Sequence, residues 1–265
     1  MKKLIFKESW PETWKYSYPY DLMEIYGDLH HPGYTYAYVN RYKATLSLVR
    51  KVAKPGAKIL DVAGAQGNFT LSLAEIGYEV TWNDLREELI DYVKLKWEFG
   101  IVHYAPGNVF ELGFDASFDV ILITEIIEHV AHPDDFLIKI ARMVRPGGYI
   151  VMSTPNGEYF RYSLPKFSEC LDPSQYEASQ FKPNADGHIF LLHLDEVHIL
   201  AKKAGLQVVE TKLTNNPITN GHLRMEPFLK IIPRGWIEAS EKVTNSLSLP
   251  FQKKLHTGLV ALLAK

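Results

Sequence analysis

Residues 61–68 read Asp61-Val62-Ala63-Gly64-Ala65-Gln66-Gly67-Asn68, set between the apolar run KIL and the helix-like stretch FTLSLAEIG. A β-rich run, a turn of small residues and a helical pattern follow one another within twenty positions. That order is the start of a βαβ unit. Small side chains at 63, 64, 65 and 67 allow a ligand to approach the backbone, and the following helix begins with free N–H groups. An acid opens the turn. Dinucleotide binding asks for G-x-G-x-x-G around a pyrophosphate, and here only Gly64 and Gly67 are in place. The acid repels phosphate and suits a cationic, amine-bearing ligand.

Outward from this turn the pattern alternates. RYKATLSLVRKVA before it has helical spacing. After it come the strand YEVTWND, the helix LREELIDYVKLKWEFG and the short strand VHYAPGN. FDVILIT reads as a buried strand, DDFLIKIARMVRPGG as a helix and YIVMST as a strand. The helix LDEVHILAKKAG, the strand LQVVETKL and a last strand, TGLVALLA, close the chain. Strands of four to seven residues between helices specify an α/β fold with a mostly parallel sheet, here of seven strands with helices on both faces. Asn68 is the expected N-cap of the helix after the small-residue turn, and Gly77 its stop.

The flanking regions divide a single domain. Residues 1–45 form an aromatic-rich arm holding eight of the fifteen tyrosines, with Trp10 and Trp14; Pro11, Pro19 and Pro32 are expected to break any long element there. The arm is expected to pack on the domain and to act as a lid, together with the loop 156–187. A helical insertion is expected at about 226–253. The remainder, 46–265, is the main domain.

The chain of 265 residues is 46% hydrophobic and 23% charged, as in a globular protein. Its net charge of −2 gives no general attraction to nucleic acid or acidic membranes. No apolar run approaches the roughly 20 residues of a membrane span. The N-terminus lacks the apolar core of a secretory signal. A single cysteine, Cys170, fits a reducing cytoplasm.

In a doubly wound sheet ligands bind beyond the carboxyl ends of the strands. The second strand ends in Asn83-Asp84, where an acid can accept from a ribose diol. S-adenosylmethionine carries a sulfonium, an ammonium and a ribose but no phosphate, and it matches this chemistry better than NAD does. ILDVAGAQGNFTLSLAE resembles the first motif of the class I S-adenosylmethionine-dependent methyltransferases, D-x-G-x-G-x-G. YEVTWNDL resembles their second motif, APGNVFEL their third, and FDVILITEIIEHV with VRPGGYIVMSTPN their fourth and fifth strands. The resemblance runs from about residue 45 to 157. It implies a Rossmann-like methyltransferase fold, with the cofactor held by Asp61, Gly64, Gly67, Asp84, Asn108, Val109 and Glu125. Ala63 and Ala65 stand where glycine is usual, and Asn108 replaces the usual aspartate.

TEIIEHV, residues 124–130, ends the fourth strand with Glu125, Glu128 and His129 at i, i+3 and i+4. On one helical turn that spacing brings three side chains to one face. Two carboxylates and an imidazole suit a divalent cation such as Mg²⁺, Mn²⁺ or Zn²⁺. His188, in DGHIFLLH, returns to the same mouth of the sheet. E-x-x-E-H with a later H-x-F resembles the metal site of small-RNA terminal-ribose methyltransferases, and E-x-x-E-H alone is similar to ubiquinone-pathway O-methyltransferases. The resemblance implies Glu125, Glu128, His129 and His188 as metal ligands. Without a metal, His129 or His188 is the candidate general base. The expected reaction is O-methylation of a small hydroxylated metabolite: a sugar, a phenol or a prenyl-type compound. RNA-end ribose methylation, NAD-dependent oxidoreduction and a non-catalytic cofactor-binding scaffold are the competing readings.

Overall fold

The computed structural model describes residues 1–180 and 187–265; the expected lid loop 156–187 therefore lies partly outside the described residues. Two helices come first, α1 (Glu12–Glu24) and α2 (Pro32–Val52). The prolines of the arm do not break it up. Pro11 is the N-cap residue of α1 and Pro32 the first residue of α2. Both are places where the missing N–H costs nothing. Pro19 alone lies inside a helix. Helix α2 runs without a break across position 45, so the arm and the domain share one rod.

The sheet then builds in alternation. The chain order is β1 (Lys58–Val62), α3 (Asn68–Ile76), β2 (Glu79–Trp82), α4 (Leu89–Lys96), β3 (Ile101–Tyr104), β4 (Phe118–Thr124), α5 (Pro133–Met143) and β5 (Val144–Pro155). It ends with α6 (Leu194–Lys203), β6 (Gln207–Thr214), α7 (Arg234–Asn245), α8 (Leu249–Leu255) and β7 (Gly258–Ala264). The sheet order is β3-β2-β1-β4-β5-β7-β6, with β7 antiparallel to both its neighbours and the other pairs parallel. Strand order reverses between β1 and β4, which opens a crevice at their carboxyl ends.

Alternation along the strands fills two cores. Leu60, Val62, Ile121, Ile123 and Met152 face α5 and α6, where Phe136, Ile140, Val197 and Leu200 meet them. Ile59, Val120, Leu122, Val151 and Val260 face the other way, onto Leu48 and Val49 of α2 and Phe69 and Leu73 of α3. Each such buried aliphatic contributes about 1.5–3 kcal/mol. A third cluster joins Trp10 of the arm to Leu71, Trp82, Leu89, Tyr92 and Val93. The start of the arm is thus core packing.

Two local expectations change. Asn68 is the first residue of α3 and Gly67, left-handed at φ 76°, is its N-cap. The Asn68 side chain is drawn into tertiary bonds instead. Helix α4 is only eight residues, because residues 85–88 turn around Asp84, whose Oδ1 accepts from the Arg86 backbone N–H at 3.0 Å. Gly77 does stop α3, at φ 107°. The segment 226–253 holds α7 and most of α8.

Candidate active site

The turn after β1 is shaped by close approach. A Cβ on Gly64 would lie 2.7 Å from Trp82 Cδ1, and one on Gly67 2.7 Å from Val93 Cγ1. Ala63 and Ala65 sit at φ 51° and 46°. They hold the left-handed backbone that glycine normally supplies, at about 1–2 kcal/mol each. Asp61 is buried behind the turn, and its Oδ2 accepts from Thr70 Oγ1 at 2.6 Å. Burial raises its carboxyl to about 6, with Thr70 opposing and Asp84 adding to the rise.

Asp84 is also buried, at the end of β2. Its Oδ2 accepts from the Ala65 N–H at 2.9 Å, so it helps hold the small-residue turn. Both of its oxygens are also bound by the Arg86 guanidinium, at 2.9 and 3.0 Å. A ribose diol at Asp84 would share that carboxylate with Arg86. Asn108 is exposed, accepts from Phe110 N–H and donates to Glu111, while Val109 beside it is buried.

The turn after β4 is not a single helical face. Glu125 has φ 54°, outside the short 3₁₀ turn Ile127–His129, so it diverges from the other two. Its Oε2 pairs with Arg41 Nη1 of α2 at 3.0 Å and its Oε1 accepts from Ser153 at 2.8 Å. Glu128, His129 and His188 do converge: one ligand atom of each lies within 4.8 Å of the others. Of the four expected metal ligands the structure brings together three, and Glu125 stands beside them, taken by arginine.

Within that trio Glu128 is fully buried. Its Oε2 accepts from Thr154 Oγ1 at 3.1 Å and its Oε1 has no partner among the described residues. Burial, reinforced by Glu125, pushes its carboxyl well above the usual range. His129 Nδ1 lies 2.9 Å from the Gly187 carbonyl and donates to it, and its Nε2 lies 4.0 Å from Glu128 Oε1. The backbone carbonyl of Glu128 accepts from Ile189 N–H at 2.7 Å, which ties the His188 segment to the turn. Burial and the neighbouring His129 lower the His188 imidazole, with Glu125 opposing.

Two cavities meet here. One, of about 140 Å³, is lined by the turn after β1 together with Glu24, Asn68, Phe69 and Thr124. The other, of about 220 Å³, is lined by Tyr34, Tyr162, His188, Thr214, Asn215 and Thr257, among others. Tyr38, Arg41 and Glu125 belong to both walls.

Comparison with known proteins identifies the family and the fold. The methyltransferase domain family matches residues 34–211. This chain belongs to the class I S-adenosylmethionine-dependent methyltransferases. The ubiquinone biosynthesis O-methyltransferase of Shewanella pealeana is 30% identical over 170 residues, 62% of this chain and 70% of that protein. Its counterpart in Shewanella halifaxensis is 29% identical with the same coverage. An S-adenosylmethionine-dependent methyltransferase structure from Mesorhizobium loti superposes with a TM-score of 0.57 at 14% identity, covering 84% of this chain and 96% of that one. A phosphoethanolamine N-methyltransferase from Haemonchus contortus reaches 0.54 at 20% identity, covering 84% and 52%.

The two cavities also contain residues that sequence reasoning passed over. Glu24, Arg41, Tyr162 and Asn215 line these cavities, yet they lie outside every motif. The one available signal was Arg41, a cation among the tyrosines of α2. No described helix is long and apolar enough to cross a membrane.

Proposed function

We propose that this methyltransferase transfers the methyl group of S-adenosylmethionine to the hydroxyl of a small acceptor, with His188 as the general base. The observation that carries this is the junction of the two cavities at Tyr38, Arg41 and Glu125, with His188 on the acceptor side. The names of the ubiquinone-pathway relatives support oxygen as the nucleophile.

In this reading Asp84 receives the ribose hydroxyls, Asn108 and Val109 border the adenine, and Arg41 takes the cofactor's carboxylate. Gly64 and Gly67 keep the turn open to the methionine portion, with Asp61 supporting it from behind. Methyl transfer from a sulfonium is an in-line displacement, so these residues chiefly align the reactants and exclude water. His188, whose imidazole burial and His129 hold below its ordinary value, accepts the hydroxyl proton. Tyr34, Tyr162, Asn215 and Thr257 give the acceptor cavity a polar lining that suits a hydroxylated head group.

Glu128, His129 and His188 fit a divalent cation as well. They supply one buried carboxylate oxygen without a partner and two imidazoles, one with its tautomer fixed from the far side. An ion there would lower the pKa of an acceptor hydroxyl.

The test is methyl transfer from labelled S-adenosylmethionine to a panel of phenols, sugars and prenylated quinols. His188→Ala should cut turnover by about 10²–10⁴-fold while leaving cofactor affinity unchanged. Unaltered turnover in that variant would remove His188 from the mechanism. Activity retained after exhaustive chelation would reject the metal and leave the histidine as sole base.

A further inference from the structure

The cofactor cavity contains three acids besides its arginine: Glu24, Asp61 and Glu125. Their circumstances differ. Glu125 is taken by Arg41 and Ser153. Asp61 lies behind the turn, with Oδ2 3.0 Å from where a Cβ on Gly64 would sit and occupied by Thr70. Glu24, from the arm helix α1, is buried and held only by neutral donors. These are the Tyr34 hydroxyl on one oxygen, and on the other Gln66 Nε2 at 2.9 Å and Asn68 Nδ2 at 2.6 Å. Among the described residues no cation contacts it. A carboxylate has about four acceptor positions, and three are used here.

A buried carboxylate without a cation is costly unless a ligand supplies the charge. Across the same cavity stands Arg41, whose Nε is buried without a partner among the described residues. The cavity thus offers a carboxyl group with an acceptor position to spare, whose only cations among the described residues, Arg41 and Lys96, act on it without contact, and a guanidinium with spare hydrogen-bonding capacity. That pair matches a zwitterion. The amino-acid end of S-adenosylmethionine has an ammonium and a carboxylate on one carbon.

We infer that Glu24 is a cofactor-binding residue contributed by the N-terminal arm, receiving the ammonium of the amino-acid end while Arg41 receives its carboxylate. The inference rests on the reading that this cavity takes S-adenosylmethionine. It assigns the arm a share in cofactor recognition besides packing. Burial holds the Glu24 carboxyl above the usual range, with Tyr34, Arg41 and Asn68 opposing, and an arriving ammonium would oppose that rise further.

Titration calorimetry on the full chain tests it with three ligands: S-adenosylmethionine, S-adenosylhomocysteine and 5′-methylthioadenosine. The last keeps the adenosine and has no amino-acid end. Glu24→Gln should weaken the first two by about tenfold or more, the loss of one charged hydrogen bond, and leave methylthioadenosine within about twofold. An unchanged affinity for S-adenosylmethionine overturns the inference. So does an equal weakening of all three ligands, which would mean Glu24 only shapes the turn through Gln66 and Asn68. If the glutamine variant does not fold, Glu24→Asp carries the same test, with the charge kept but drawn back by one methylene. Should the wild type bind none of the three, the cofactor reading itself fails.

Discussion

At the scale of single residues the turn after β1 holds two stresses of opposite origin. Ala63 and Ala65 are left-handed without being glycine, a conformational cost. Ala63→Gly should therefore raise stability by up to about 1 kcal/mol in urea denaturation, since relief of about 1–2 kcal/mol exceeds the added freedom of the unfolded chain. A destabilised variant would show that the Ala63 methyl makes contacts worth more than the strain. Asp61 stores an electrostatic cost. Its carboxyl lies near 3.8 when unfolded and about 6 when folded, so the folded protein retains a proton that the unfolded chain has released. The stability this proton contributes is complete below 3.8, falls as pH rises, and is gone above about 6. Asp61→Asn does not titrate. Its stability relative to wild type should grow by about 2 kcal/mol between pH 4 and 6.5, out of about 3 kcal/mol in all, and level off above about pH 7. A constant difference across that range would mean Asp61 is ionised throughout. The residue scale also explains what was readable early: an acid and two glycines mark the turn locally, whereas Glu125's commitment to Arg41 spans 84 positions.

At the scale of elements the arm is bound to the domain by charge as well as by rings. Lys96 of α4 is fully buried, and its ammonium donates to Asp21 of α1 at 2.6 Å, to the Gln66 carbonyl at 2.8 Å and to Asn68 Oδ1 at 2.6 Å. Tyr92 donates to the other oxygen of Asp21 at 2.6 Å. Helix α1 thus reaches the cofactor turn through the lysine as well as through Glu24. Asp21→Ala strands that ammonium, and should cost about 3–5 kcal/mol in chemical denaturation. Cofactor affinity should weaken with it, because Gln66 and Asn68 lose their fixed partner. A loss below about 1 kcal/mol would show that Lys96 finds water or another acceptor. A lid that opens freely is hard to reconcile with this attachment for residues before Tyr34. Tyr34 itself is exposed and lines the cavity that holds His188, within reach of an incoming molecule.

At the scale of the whole molecule the sheet order brings distant segments to one mouth. The ends of β1 and β4, the start of α2, the His188 segment and the end of β6 at Thr214 and Asn215 all border the two cavities. The antiparallel β7, between β5 and β6, puts Thr257, Gly258 and Leu259 on the wall of the cavity that holds His188. That cavity is therefore assembled from the least patterned parts of the chain. The cavity beside the turn after β1 comes from the most patterned. The sequence by itself determined the alternation of strands and helices, the turn from Asp61 to Asn68, the acid at Asp84 and the proximity of His129 to Glu128. Each of these is written in neighbouring residues by periodicity, small side chains or spacing. Only the tertiary structure decided that Glu125 leaves Glu128, His129 and His188 for Arg41, that Asn68 gives up its cap for Glu24 and Lys96, and that the arm contributes an acid to the cavity beside the turn after β1. Those outcomes depend on which charges are buried against which partners across 28 to 84 residues of chain, and burial is a property of packing that no local pattern encodes.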